Sequence, residues 1–233
     1  MTEISQLRRP NQIPTDDLPL LPGSLPVRPP GAPPFGGLTP EMRRALFLDS
    51  MVQMVAAEGF ADLTVERLAQ HCGLPTAEFP RHFAGLEDCL LAAFEQGADT
   101  LLLLAGEACQ AAPTWPQAVR DGLQVILEVL SDEEPYAQMS VIAFGTTGPR
   151  ARAVAGRLHD RFHDLFTTGL SEHPGMPSDR AAEAVASVIH AVLFRHIASG
   201  RTGRLPELLP LLTYVAILPW LTRDEAAAYL TYP

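Results

Sequence analysis

Apolar and polar positions alternate with a helical period along most of this chain. Val65, Leu68 and Ala69 fall at i, i+3 and i+4 on one face of a short segment. Thr64 stands before it as an N-cap, Glu66 lies in its first turn, and Gly73 stands where it must stop in a left-handed conformation. A second short segment, 77–83, follows a tight turn, with Phe79 and Phe83 at i, i+4. Upstream, Thr39-Pro40-Glu41 is a helix start: a capping hydroxyl, proline at the first helical position, then an acid. That helix runs through Leu46, Met51, Met54 and Val55 to Gly59. Beyond Ala84 the pattern predicts helices throughout, over 86–112, 116–130, 134–143, 150–169, 178–199 and 205–221, with a last one from Arg223. The expected fold class is all-α.

Two short helices joined by a glycine turn are the layout of a helix-turn-helix, whose second helix enters the major groove. The reading helix here is AEFPRHF, and Pro80 inside it costs a backbone donor. A start after Thr76, with Thr76 as cap, keeps that proline in the first turn. Phe79 and Phe83 then point to the core, while Thr76, Ala77, Arg81 and His82 lie toward the groove. Arg81 is the best single candidate for a base or phosphate contact, because guanidinium suits guanine and phosphate.

In residues 41 to 94 the helix ALFLDSMVQMVAAEGF, the pair Leu63-Thr64, VERLAQHCGL, FPRHF and LEDCLLAAF follow one another in order. This stretch resembles the DNA-binding domain of the TetR (tetracycline-repressor) family of bacterial transcriptional regulators. Pro80 stands where the family usually carries Tyr, and Leu86 where it often carries Lys. The resemblance implies a helix-turn-helix domain over 39–84 and a helical effector-binding and dimerisation domain over 85–233, with the proline-rich stretch 1–38 read separately as a disordered arm. It implies backbone contacts near Arg43, Arg44 and Thr64, and a phosphate-contacting or supporting role for His82. It further implies an apolar effector pocket, for which Trp115, Tyr136, Met139, Phe144, Phe162, Phe166, His190 and Phe194 are the candidate lining. A four-helix dimer bundle of the last long helices would use Ala182, Val185, Ile189, Leu193, Leu208, Leu212 and Val215.

Composition narrows the picture. The 47% hydrophobic content is ample for a core, and the scarcity of aromatics (7%) favours helices over sheet. All 17 basic residues are arginine, and the formal charge is −10, which argues against a protein that coats nucleic acid generally. Residues 40 to 95 carry four arginines against nine carboxylates, a local net of −5. Phosphate neutralisation supplies most non-specific affinity, so such a head binds weakly or selectively. Residues 1–38 hold nine prolines without periodicity and read as a mobile arm.

Candidate chemistry adds little. The three cysteines (72, 89, 109) lack metal spacing and read as reduced thiols of a cytoplasmic protein. No signal peptide is legible, and the most apolar run, LPELLPLLTYVAILPWL, is interrupted by Glu207 and prolines, so no membrane is expected. His159 and His163 are four apart, but charged neighbours make an ion-paired helix face the better reading than a metal site. No nucleophile elbow, phosphate loop or zinc-protease motif is present, so neither an enzyme nor a cofactor is expected. Two functions remain open. One is a ligand-responsive regulator, repression being the family default, that binds a palindromic double-stranded DNA operator as a homodimer and answers to a small hydrophobic effector. The other is a TetR-like protein with a degenerate helix-turn-helix, binding small molecules or proteins without DNA.

Overall fold

The structure is a computed structural model that describes residues 21–23, 37–146, 148–167 and 179–231. Among these the fold is all-helical, with no strand. Helix α1 (Pro40–Glu58) opens with Thr39, whose side chain accepts the N–H of Met42 at 3.2 Å, and closes at Gly59. Helix α2 (Val65–Cys72) is capped by Thr64, and Gly73 ends it at φ 68°, a left-handed conformation that glycine adopts without a Cβ penalty. Both caps stand where the local sequence places them.

The reading segment differs from expectation. Residues Thr76–Arg81 form a 3-10 helix rather than an α-helix, with Pro75 and not Thr76 at the cap position. Pro80 lies inside it. Proline offers no N–H to the carbonyl four residues back and its ring crowds that carbonyl, so an α-turn is penalised here.

Helix α3 (Leu86–Ala111) is the axis of the molecule. It packs against α1, α4 (Trp115–Asp132), α5 (Glu134–Gly145) and α6 (Pro149–Thr167). Helix α7 (Asp179–Ala198) lies on α5 and α6. The single helix expected over 205–221 is split: a 3-10 segment Thr202–Leu208 leads into α8 (Leu209–Ile217). Pro206 sits within the first piece, and a proline in the first turn starts the second. Helix α9 (Arg223–Ala227) follows, held by a capping box between Thr222 and Glu225.

The expectation of a mobile arm falls mostly outside the described residues. Residues 21–23 of that stretch are described, and they contact α1. Leu21 is 6% exposed and joins the core cluster. The N–H of Gly23 donates to buried Asp49 at 2.8 Å, and the Gln53 side-chain amide donates to Gly23 O.

Candidate functional site

The head is built around an aromatic core. Phe79 and Phe83 are buried and meet Phe47 of α1 edge-on, at ring-centroid distances of 5.3 and 6.2 Å. His82, placed toward the groove by the sequence, instead packs against Phe47 and Phe83, each at 6.2 Å. Its Nε2 is buried without a hydrogen-bond partner among the described residues, so this ring supports the core. Thr76 and Ala77 are exposed at the start of the 3-10 turn. Thr64 is exposed as well, its oxygen accepting the N–H of Arg67 at 3.3 Å.

All four head arginines are held by protein groups. Arg43 and Arg81 share the carboxylate of Glu78, at 3.0 and 2.8 Å. Arg44 lies over the ring of Phe83, 5.4 Å from its centroid, and donates to Gln96. Arg67 pairs with Glu58 and donates to Asp62 O. Arg81 is the most exposed of those in ion pairs, its side chain 68% accessible.

A cavity of about 320 Å³ lies behind the head, between α3, α4, α5, α6 and α7. Its lining is overwhelmingly apolar. Phe94, Ala98, Leu101 and Leu102 come from α3, Ile126 and Leu130 from α4, and Leu158 and Phe162 from α6. Phe94, Phe144 and His190 form a chain of edge contacts, with centroids 4.9 and 4.2 Å apart. The polar groups of the lining are Ser140, Ser187, His159, His190 and the hydroxyl of Tyr136, and that hydroxyl is already spent on Phe94 O at 2.9 Å. Partial burial lowers the His190 pKa below its ordinary 6.5, which favours the neutral imidazole.

Of the effector candidates, Tyr136, Phe144, Phe162, His190 and Phe194 line this cavity. Met139 does not; it is fully enclosed in the core. Trp115 lines a separate void of about 30 Å³ and meets Trp220 edge-on at 5.5 Å. Phe166 falls outside the described side chains. The sequence reading missed the α3 stripe at Phe94, Ala98, Leu101 and Leu102, although its i, i+4, i+7, i+8 spacing was visible. His159 and His163 diverge, the first to the main cavity and the second to the small one. Among the described residues no group of three or more metal-ligating side chains occurs.

The proposed interface residues divide. Ile189 and Leu212 are buried inside the chain and are not available to a partner. Ala182, Val185, Leu193, Leu208 and Val215 are half-buried. The large apolar side chains that do face outward on α7 and α8 are Val188, 47% exposed, Phe194, and Leu211, 49% exposed; Leu218 follows at the end of α8.

Burial also pushes the thiols up, Cys72 and Cys109 to about 11 each and Cys89 further, so all three stay protonated at neutral pH.

Comparison with protein-family models and with curated proteins finds no match. Solved structures do match. The fatty acid degradation regulator FadR from Bacillus halodurans is 13% identical, with a TM-score of 0.67 over 76% of this chain and 95% of that one. FadR from Bacillus subtilis, solved in complex with stearoyl-CoA, is 13% identical, with a TM-score of 0.66 over 75% of this chain and 97% of that one. A TetR family regulator from Marinobacter aquaeolei is 17% identical, with a TM-score of 0.58 over 75% and 93%.

Proposed function

We propose that this chain, which has the fold of the TetR-family transcriptional regulators, is itself a DNA-binding regulator of transcription that responds to a small ligand. The observation that carries the reading is one continuous helix, α3, with the reading head at its start and the apolar cavity along its length. A molecule that fills the cavity wedges apart the helices around α3 and shifts the population of head orientations. Two heads in a homodimer would then lose the spacing that successive major grooves require. In this reading Arg43, Arg44, Thr64, Thr76, Ala77 and Arg81 face DNA. Tyr136, Phe144, Phe162, His190 and Phe194 face the effector.

The effector we propose is hydrophobic. The Bacillus subtilis neighbour holds stearoyl-CoA, and the aromatic and aliphatic lining here suits an acyl chain of that kind. Among the described residues no arginine lines the main cavity, which favours an uncharged or weakly polar portion inside it. Val188 of α7 and Leu211 of α8, exposed and outside the cavity lining, supply the dimer face. Two helices, Leu86–Ala111 and Arg180–Ala198, are long and apolar enough to cross a bilayer by composition alone. We assign the first to the core and the second to the subunit interface, in a cytoplasmic, non-enzymatic protein.

The acidic head, with each arginine already engaged by a protein group, favours a second reading: a ligand-binding or protein-interaction module on the same fold that has lost DNA. One experiment separates the two. Fluorescence anisotropy of the purified protein with its own upstream DNA, across a salt series, should show selective binding that weakens as salt rises. Long-chain acyl compounds should then release the DNA. An absence of any selective binding, even at low salt, would replace the regulator with the module.

A further inference from the structure

Two of the head's arginines converge on one carboxylate. Glu78, in the middle of the 3-10 segment, accepts from Arg43 Nη1 through Oε2 at 3.0 Å and from Arg81 Nη1 through Oε1 at 2.8 Å. Its own side chain is only 15% exposed. The contact ties the first turn of α1 to the end of the reading segment. It also leaves the trio with a net charge of one where two free arginines would carry two. Arg81 spends one terminal nitrogen on Glu78 and keeps most of its guanidinium in solvent.

An arginine anchored in this way is preorganised. A free arginine gives up rotamer entropy when it docks, whereas one held at a terminal nitrogen has already lost much of it. Its remaining donors form a fixed fork of the kind that matches guanine or phosphate. The cost is electrostatic. A carboxylate at the reading surface weakens the general attraction to phosphate, which carries most non-specific affinity.

We infer that Glu78 is a positioning residue that exchanges non-specific DNA attraction for sequence discrimination by holding Arg81, and with it Arg43, in one geometry. The inference rests on the DNA-binding reading above. It makes opposite predictions for two kinds of DNA. Neutralising Glu78 adds one positive charge to each head, so binding to unrelated DNA tightens. The same change frees Arg81, so preference for the selected sequence falls. A residue needed only for folding would weaken both, and a residue acting only through charge would tighten both.

The test uses the full chain and two probes: the duplex it enriches most from a random-sequence library, and a scrambled duplex of equal composition. Anisotropy titrations across a salt series are run on Glu78→Gln, which keeps the shape, and on Glu78→Asp, which keeps the charge but shortens the reach. For Glu78→Gln the ratio of the two affinities should fall about tenfold, the scale of one guanidinium–base contact. Scrambled-duplex binding should tighten, with a salt slope steeper by about one ion per engaged head. Glu78→Asp should lose selectivity with the slope unchanged. In an Arg81→Ala background, Glu78→Gln should have no further effect on selectivity, because Arg81 carries the base contact while Arg43 meets only the backbone. Parallel shifts on both duplexes in both variants would overturn the positioning role while leaving DNA binding in place. A wild-type protein that enriches no duplex would overturn the DNA-binding reading and this inference together.

Discussion

Tyr136 shows how one glycine shapes the cavity. The ring lies so close to α3 that a Cβ on Gly97 would sit 2.1 Å from its Cε2. That approach lets the hydroxyl reach Phe94 O and keeps the ring in the cavity wall. Alanine is the better helix former by about 0.5–1 kcal/mol, yet overpacking costs about 1–3 kcal/mol. Gly97→Ala should therefore destabilise the protein by about 1–2 kcal/mol. Gly106, on the same helix, is the control, because its added Cβ would meet Leu165 at an ordinary 3.6 Å. Gly106→Ala should raise stability by about 0.5 kcal/mol, and thermal melts of the two variants should move in opposite directions.

His190 provides the pH prediction at the same scale. Desolvation lowers its pKa in the folded state below 6.5, so the unfolded chain binds the proton more readily. Its contribution to stability is therefore whole above pH 6.5 and is lost as the pH falls from there through the lowered folded value. Denaturant midpoints measured across this acid window should fall more steeply in the wild type than in His190→Phe.

Between elements, α3 and α6 are joined by a ladder of ion pairs at a constant offset of 62 residues. Asp88 meets Arg150 at 2.9 Å, and Glu95 and Asp99 pair with Arg157 and Arg161. The arginines of these pairs are about half exposed, so each pair is worth at most about 1 kcal/mol and is screened by salt. Constant spacing matters more than strength, because it admits one register for the two helices. Arg157→Ala should cost less than about 1 kcal/mol in low salt and less again in high salt, as urea unfolding at two ionic strengths would show. The Leu21–Gly23 anchor on α1 is a different kind of link. Gly23 has φ 102°, and a Cβ there would lie 2.6 Å from Val52 Cγ1. Gly23→Ala should therefore release the segment, raising hydrogen exchange at the amide of position 23.

For the whole molecule, the homodimer proposed above would place the exposed apolar side chains of α7 and α8 at its seam. Val188 and Leu211 are about half exposed in the single chain, and an isolated solvated helix gains nothing from such residues. Val188→Glu and Leu211→Glu should leave the fold intact and shift the protein toward monomer in sedimentation velocity. On the DNA-binding reading proposed above, both should also abolish binding to a two-half-site duplex, in which each head would read half the site.

Helix caps were legible in the sequence because they are local. Thr39 and Thr64 reach amides three residues ahead, and Gly73 needs only its own missing Cβ to turn the chain. Periodicity likewise placed the long helices, since an amphipathic stripe is written within one segment. The split at Pro206 was written there too, but the strong apolar character of 205–221 masked it. Decisions that join distant residues were not legible. Met139 and Tyr136 are both buried on α5, yet only Tyr136 meets the cavity. Arg81 looked like a free groove-facing cation until packing set Glu78 beside both it and Arg43, 35 residues away from Glu78 along the chain. The sequence by itself determined the long helices, the caps at Thr39, Thr64 and Gly73 and the helix-turn-helix order, through hydrogen bonds and propensities that span a few residues. The tertiary structure alone decided which apolar faces enclose a void, which remain bare and which charges are paired, because those outcomes depend on volumes and distances between segments far apart in the chain.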